Sequence, residues 1–167
     1  MSAEPQPCDI EAVAAQLGRA PRGLRAVAHR CACGLPDVVT TEPRLDDGTP
    51  FPTTYYVTCP RLSGAIGTLE GGGLMREMTE RLASDEELAA AYTRAHEAYL
   101  ADRAELGEVA EIDGISAGGM PTRVKCLHVL VGHSLAAGPG VNPLGDETLA
   151  MLPQWWANGS CHADVAD

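Results

Sequence analysis

RAVAHRCACGLPDVVTTEPRLDDGTPFPTTYYVTCP, residues 25–60, decides the fold class, because its pattern has a period of two rather than the helical 3.6. β-Branched and aromatic residues within it predict strands over 25–31, 37–43 and 53–59. A turn at 46–50 contains Asp-Asp-Gly, in which glycine supplies the positive φ of a tight turn. Three short strands form a small antiparallel sheet, which is stable only when helices pack against it.

The remainder of the chain has a helical pattern. Apolar spacing and end signals predict a helix capped by Asp9, one from Leu74, one from the capping box at Ser84, one from Pro121 through Ala137, and one over about 146–156. We therefore expect an α+β fold, a small antiparallel three-stranded sheet followed by a helical bundle in a single domain. The expected parts are an N-terminal helix or tail (1–20), the domain (21–157, with the sheet in 25–60 and the helices in 61–157) and a C-terminal tail (158–167).

Composition and charge limit the classes of partner. The chain has 12 basic and 23 acidic residues among 167, a formal net charge of -11. Binding to nucleic acid or to an anionic membrane surface needs Lys and Arg at the contact, so we expect neither partner. Residues 1–8 lack the basic start and apolar run of a signal peptide. We expect a cytoplasmic protein whose six cysteines are reduced, which favours metal or redox chemistry over disulfides.

Cysteine and histidine concentrate at the ends of the predicted strands. An extended segment places His29, Cys31 and Cys33 on one side, and Cys59 ends the third predicted strand. If the first and third strands approach each other, three thiols and an imidazole converge. Thiolate sulfur suits zinc or an iron–sulfur cluster, and zinc takes four ligands. We predict a metal site, with zinc ahead of iron–sulfur: Cys31, Cys33 and Cys59 are ligands, Cys126 is the fourth, and His29 is in reserve or supports a ligand.

Alternatives stay open for the cysteines. Free cysteine is commonly a small buried hydrophobic residue, and Cys126 in an apolar predicted helix fits that role as well as ligation. Cys8 and Cys161 lie in predicted tails and are expected to be bystanders. Cys161, with His162 beside it, becomes a possible fourth ligand if the tail folds back.

A second motif joins a glycine-rich loop to a predicted helix start. Gly118 and Gly119 precede a segment whose first turns carry Arg123 and Lys125. Backbone N–H groups at a helix start and nearby cations bind anions such as phosphate or carboxylate. Arg123 and Lys125 are therefore candidate substrate-binding residues for a small anionic ligand, although an ordinary helix start with a flexible lead-in has the same pattern.

Two other functions stay open beside metal binding. In an enzyme acting on a small anionic metabolite, His128 or His133 would be the catalytic residue that transfers protons. Separately, Cys59 or Cys126 with His128 or His133 as base is a possible nucleophile for acyl transfer or thiol redox chemistry. In a non-catalytic adaptor of a bacterial complex, the acidic surface would meet a protein partner.

Seven motifs together carry a family resemblance: HRCACGLPD (29–37), GTPFPT (48–53), TCPRL (58–62), GLMREM (73–78), ISAGGMP (115–121), RVKCLH (123–128) and GPGVNPLG (138–145). They resemble the bacterial family catalogued as domain of unknown function 501, over about residues 20–157. The resemblance implies a single bacterial intracellular domain. It implies no activity, substrate or cofactor, so the metal site is predicted from residue chemistry alone.

Overall fold

Residues 3–162 are described by a computed structural model of the protein. Their elements in chain order are α1 (Pro7–Leu17), β1 (Leu24–Arg30), β2 (Pro36–Thr41), β3 (Tyr55–Val57), α2 (Pro60–Glu70), α3 (Leu74–Ser84), α4 (Glu86–Leu106), a 3-10 turn (Ala110–Ile112), α5 (Leu127–Ala137) and α6 (Pro143–Met151). In this part of the chain, three antiparallel strands and six α-helices make an α+β fold in a single domain. The predicted fold class is confirmed.

β2 is the central strand of the sheet. It pairs antiparallel with β1 on one side and with β3 on the other, and all of its residues are buried. β1 and β3 therefore run in the same direction, and their carboxyl ends lie at one edge of the sheet. We call this the thiol edge, because Cys31 follows β1 and Cys59 follows β3. The first and third strands do not pair directly, since β2 lies between them.

Helix α5 packs on this sheet and forms the centre of the core. Its residues 129–134 are all buried, and it contacts β3, α2 and α6. A Cβ at Gly132 would lie 3.0 Å from the Tyr55 carbonyl oxygen, so the glycine lets helix and strand approach closely. The buried Tyr99 of α4 joins β3 to the helices, because its hydroxyl accepts the Thr54 N–H at 2.7 Å.

Helix α5 begins at Leu127, later than the predicted start at Pro121. Residues 118–125 form a closed loop instead, in which the Lys125 N–H donates to the Gly118 carbonyl at 2.7 Å. Gly118 has a φ of +68°, a left-handed conformation that turns the chain away from a helix. The Pro121 signal for a helix start is thus overridden by loop closure.

Other helix ends also differ from the sequence pattern. The cap of α4 is Asp85 rather than Ser84, and its carboxylate accepts the Leu88 N–H at 3.0 Å. Helix α6 starts earlier than predicted, because Asn142 caps it, and ends at Met151. Among the described residues, no helix has the length and apolar character needed to cross a bilayer.

Candidate metal centre

A tight turn after β1 brings two thiols together. The Cys31 N–H donates to the Leu35 carbonyl, and the Gly34 N–H donates to the Cys31 carbonyl, both at 2.9 Å. Gly34 has a φ of +90°, which glycine adopts without steric cost. Cys31 and Cys33 therefore lie on one short loop at the thiol edge.

Cys59 reaches the same edge from β3. It is the N-cap of α2, and its Sγ accepts the Leu62 N–H at 3.4 Å. Pro60 at the first helical position fits this start, because its φ is already helical and it has no N–H to leave unpaired. The Cys59 side chain is fully buried between a strand end and a helix start, which holds its sulfur in place.

Cys161 completes the group from the C-terminal segment. The sulfurs of Cys31, Cys33 and Cys161 lie within 4.8 Å of one another. The Cys59 thiol lies outside this group of three but neighbours Cys161 and helps to raise the pKa of the Cys161 thiol. These four residues, here called the four-cysteine cluster, come from three separate segments. Three of them are buried, and Cys33 is exposed, so the cluster borders solvent on one side.

The C-terminal segment is held beside α2 by Arg61. Its Nε donates to the Ser160 carbonyl at 3.0 Å. A Cβ at Gly159 would overlap the Arg61 guanidinium at 2.6 Å, so the glycine permits this approach. Trp155 and Trp156 pack against the core just before this point. The segment is therefore anchored at two points just before Cys161.

Backbone N–H groups point at the sulfurs of the cluster. The Cys31 sulfur receives the Cys33 N–H, and the Cys33 sulfur receives those of Leu35 and Cys161. Burial opposes ionisation of Cys33, but these donors outweigh it and hold its pKa below the usual range. Burial raises the pKa of Cys31 and of Cys161, and neighbouring thiols raise that of Cys161 further. A cation between the sulfurs would favour the thiolate form of all of them.

The spacing of the sulfurs matches a single tetrahedral ion. With a Zn–S bond of about 2.3 Å, two sulfurs of a tetrahedral site lie about 3.8 Å apart. That spacing falls within the 4.8 Å that spans Cys31, Cys33 and Cys161. Cys31, Cys33 and Cys161 form a group that could hold a metal ion, and Cys59 lies outside that group of three as a neighbour of Cys161.

Two of the predicted ligands are not part of this cluster. His29 Nδ1 lies 2.7 Å from Oδ1 of Asp37, a carboxylate with a fully buried side chain. Cys126 is grouped with Glu70 and His128 instead. The structure thus brings Cys31 and Cys33 together with Cys161, expected to be a bystander or, if the tail folds back, a fourth ligand. The predicted ligand Cys59 lies outside this group of three and neighbours Cys161.

Glu70, Cys126 and His128 form a second group where α2 packs against α5. Glu70 Oε1 accepts the Leu127 N–H at 2.8 Å and lies 3.0 Å from His128 Nδ1. His128 Nε2 lies 3.1 Å from both the carbonyl and the hydroxyl oxygen of Ser63. The hydrogen bond with Cys126 and the Glu70 carboxylate raise the pKa of His128 to about 9, against the opposing effect of burial.

The remaining candidates occupy different surroundings. His133 is fully buried, and burial lowers its pKa to about 4. It is therefore a neutral core residue, enclosed by packing. Arg123 and Lys125 are exposed on the loop of residues 118–125, which precedes α5 rather than belonging to it.

Two residues of these sites, Arg61 and Glu70, received no role from the sequence, and Cys161 received only a conditional one. Cys161 carried one signal, the adjacent His162, but its position in a predicted tail outweighed it. Arg61 lies within the TCPRL motif beside Cys59, so its proximity to a ligand was visible although its contact was not. Glu70 precedes three glycines, and no local pattern marks it as a partner of a histidine 58 residues later.

A comparison with protein families gives a match over most of the chain. The family model described as a protein of unknown function, DUF501, matches residues 27–150. Neither the curated proteins nor the solved structures give a match. The matched span contains three residues of the four-cysteine cluster and all of the second group, whereas Cys161 lies beyond it. The chain belongs to the DUF501 family.

Proposed function

We propose that this member of the DUF501 family is a zinc protein, with Cys31, Cys33, Cys59 and Cys161 as the four ligands. One observation carries the proposal: the Cys161 sulfur meets the sulfurs of three cysteines supplied by two other segments. A set of four thiolates leaves no open coordination position. The ion would therefore be structural, joining the C-terminal segment to the thiol edge.

The surroundings of the sulfurs favour ligation over simple packing. Cysteines that act as small hydrophobic residues need only apolar neighbours. Here the sulfurs of Cys31, Cys33 and Cys59 each accept a backbone N–H. Donors aimed at sulfur stabilise a thiolate, which is the form that binds metal.

Zinc is favoured over an iron–sulfur cluster by the spacing. A cluster places several irons and sulfides between its cysteines, which spreads the thiolates farther apart than the ligands of one ion. The three sulfurs within 4.8 Å of one another suit a single tetrahedral ion. We also infer a cytoplasmic location, because a reducing compartment keeps four closely spaced thiols from forming disulfides.

Metal and acid-labile sulfide analysis of the full chain, purified without oxygen or chelator, tests the proposal. We expect about one zinc per chain, no sulfide and no visible absorption band. Cys161→Ser should lose most of the zinc, because three remaining thiolates bind it more weakly. Cys126→Ser is the matched control and should retain the zinc, since Cys126 is outside the cluster.

The metal content of the three proteins distinguishes a zinc site on the four-cysteine cluster from the alternatives. Stably folded protein without metal would refute the proposal. Brown protein that contains iron and acid-labile sulfide would show that the same cysteines bind an iron–sulfur cluster instead of zinc. Loss of zinc from Cys126→Ser together with retention in Cys161→Ser would move the metal to the second group.

A further inference from the structure

We propose that Glu70, Cys126 and His128 bind a second, exchangeable zinc ion, which has three protein ligands and one coordination position open to solvent. The three residues lie where the end of α2 meets the start of α5. None of them belongs to the four-cysteine cluster, so this site does not depend on the zinc ion of the proposed function. The spacing of the donor atoms, the hydrogen bonds that orient them and their exposure support the site.

The donor atoms lie close enough to share one ion. A sulfur, a ring nitrogen and a carboxylate oxygen from these residues are all within 4.8 Å of one another. Glu70 Oε1 lies 3.0 Å from His128 Nδ1. In a tetrahedral zinc site with bonds of about 2.0 Å, a nitrogen and an oxygen ligand lie about 3.3 Å apart. A small rotation of the Glu70 carboxylate therefore suffices to admit the ion.

Hydrogen bonds to neighbouring groups orient the imidazole and the carboxylate. His128 Nε2 lies 3.1 Å from the Ser63 carbonyl oxygen, which can only accept, so Nε2 carries a proton. The nitrogen left for a metal is Nδ1, which faces Glu70. Metal-binding histidines commonly donate their other ring N–H to a carbonyl or carboxylate in this way. The Leu127 N–H donates to Glu70 Oε1 at 2.8 Å and holds the carboxylate at the start of α5.

The charges of the donor set favour a cation between them. A carboxylate and a thiolate within 4.8 Å of each other repel unless a positive charge lies between them. A zinc ion supplies that charge. It takes the place of the proton on His128 Nδ1 and of the proton on the Cys126 thiol, and both protons pass to solvent. The same three donors then contribute one sulfur, one nitrogen and one oxygen, all of which zinc accepts.

Ligand number and exposure distinguish this site from the four-cysteine cluster. The side chains of His128 and Glu70 are 29% and 24% exposed, and Cys126 is half-buried. Three protein ligands leave the fourth position of a tetrahedral ion to water or to another ligand from solvent. Such an ion exchanges with the medium, so we expect purification to remove it and to leave the zinc of the four-cysteine cluster. Sulfur and imidazole ligands select zinc over magnesium or calcium.

Equilibrium dialysis of the full, zinc-replete chain against micromolar Zn²⁺, without oxygen, tests the site. We expect a second zinc per chain at equilibrium, which gel filtration removes again. Cys126→Ser lacks one of the three donors and should bind this second zinc at least about tenfold more weakly, while the first zinc stays bound. Cys8→Ser is the matched control, because it removes an exposed cysteine outside the site, and it should bind both zinc ions unchanged.

Protection of Cys126 by zinc tests the site without any substitution. The unaltered chain is alkylated with iodoacetamide, with and without added Zn²⁺, and the rate at each cysteine is followed by peptide mass spectrometry. With Zn²⁺ about tenfold above its Kd, alkylation of Cys126 should slow about tenfold, because only the metal-free fraction reacts. Alkylation of the exposed Cys8 should not change. Glu70→Gln should weaken the protection, and circular dichroism checks that this variant is folded.

Two results would overturn the second site. Alkylation of Cys126 that added Zn²⁺ does not slow would do so in the unaltered chain, even if Cys126→Ser failed to fold. Loss of the second zinc from Cys8→Ser would assign that zinc to an exposed thiol instead. Purified chain without zinc in which added Zn²⁺ still protects Cys126 would refute the proposed function and support the second site.

Discussion

Two histidines on α5 show how packing sets the charge of a single residue. His133 stacks on Tyr55 with ring centroids 5.8 Å apart and meets Tyr99 edge-on at 5.0 Å. Its Nδ1 accepts a hydrogen bond from Asn142 at 3.2 Å, and burial lowers its pKa to about 4. His128, near the start of the same helix, has its pKa raised to about 9. At neutral pH one ring is therefore neutral and the other cationic.

Acidification from pH 6.5 to 5 is expected to destabilise the protein through His133. The unfolded chain protonates this histidine near pH 6.5 and the folded chain near pH 4, so in this window the unfolded state binds more protons. At 1.36 kcal/mol per pKa unit, the free energy of unfolding falls by about 2 kcal/mol by pH 5 and by about 3 kcal/mol by pH 4. Urea unfolding between pH 5 and 7 measures it.

Two variants test whether His133 causes the loss of stability at acidic pH. His133→Leu should remove most of the dependence of the free energy of unfolding on pH between pH 5 and 6.5, and an unchanged slope would contradict the assignment. The remaining slope belongs to His96, whose pKa burial also lowers. His128→Asn should leave that slope unchanged. Its effect belongs to the alkaline side, since the stability from a raised pKa is complete below pH 6.5 and is lost as the pH rises through about 9.

At the scale of elements, the contact between α5 and α6 depends on a residue without a side chain. A Cβ at Gly145 would overlap the Ser134 hydroxyl and the Leu130 carbonyl oxygen. The same glycine donates its N–H to the capping Asn142 side chain at 3.0 Å. The two helices can therefore pack at this distance only with glycine in the first turn of α6.

Gly145→Ala is expected to lower the free energy of unfolding by about 3 kcal/mol, because the added methyl group forces the helices apart. Gly64→Ala is the matched control within α2. A Cβ there meets no atom within 4 Å, so the substitution should stabilise the helix by up to about 1 kcal/mol. Urea unfolding measures the change in the free energy of unfolding for each variant. Equal changes would show that helix propensity, rather than packing between α5 and α6, sets the effect of Gly145→Ala.

At the scale of the whole molecule, the C-terminal segment ties the last helix back to the sheet. Cys161 N–H donates to the Cys33 sulfur across 128 residues of sequence. Arg61 holds Ser160 beside α2. The C-terminal segment is thus held at the thiol edge by a few polar contacts and, in the proposed function, by a metal ion bound to the four cysteine sulfurs.

Removal of metal with a chelator under reducing conditions is expected to release the C-terminal segment from the thiol edge. Hydrogen exchange should rise in residues 152–162, while β2 and α5 stay protected because their burial does not involve the cluster. The free energy of unfolding should fall by about 3 kcal/mol if free metal had exceeded its Kd about 100-fold. Unchanged exchange in residues 152–162 of metal-free protein would contradict a structural ion.

The α+β fold class follows from the sequence, and so do the three strand segments. Period-two alternation in residues 25–60 reports local backbone geometry, which depends on neighbours along the chain. The same alternation indicated that Cys31, Cys33 and Cys59 belong to strand ends. The start of α5 was missed for the opposite reason, because closure of the loop of residues 118–125 overrides the local signal of Pro121.

Only the tertiary structure decided which residues share a site. Cys161 joined the cluster because its segment packs on α2, a contact that spacing within the sequence does not encode. Cys126 joined Glu70 and His128 because α5 lies against α2 at that point. Periodicity tells which face of an element a side chain occupies, whereas the distance between remote segments is set by how their buried surfaces fit together.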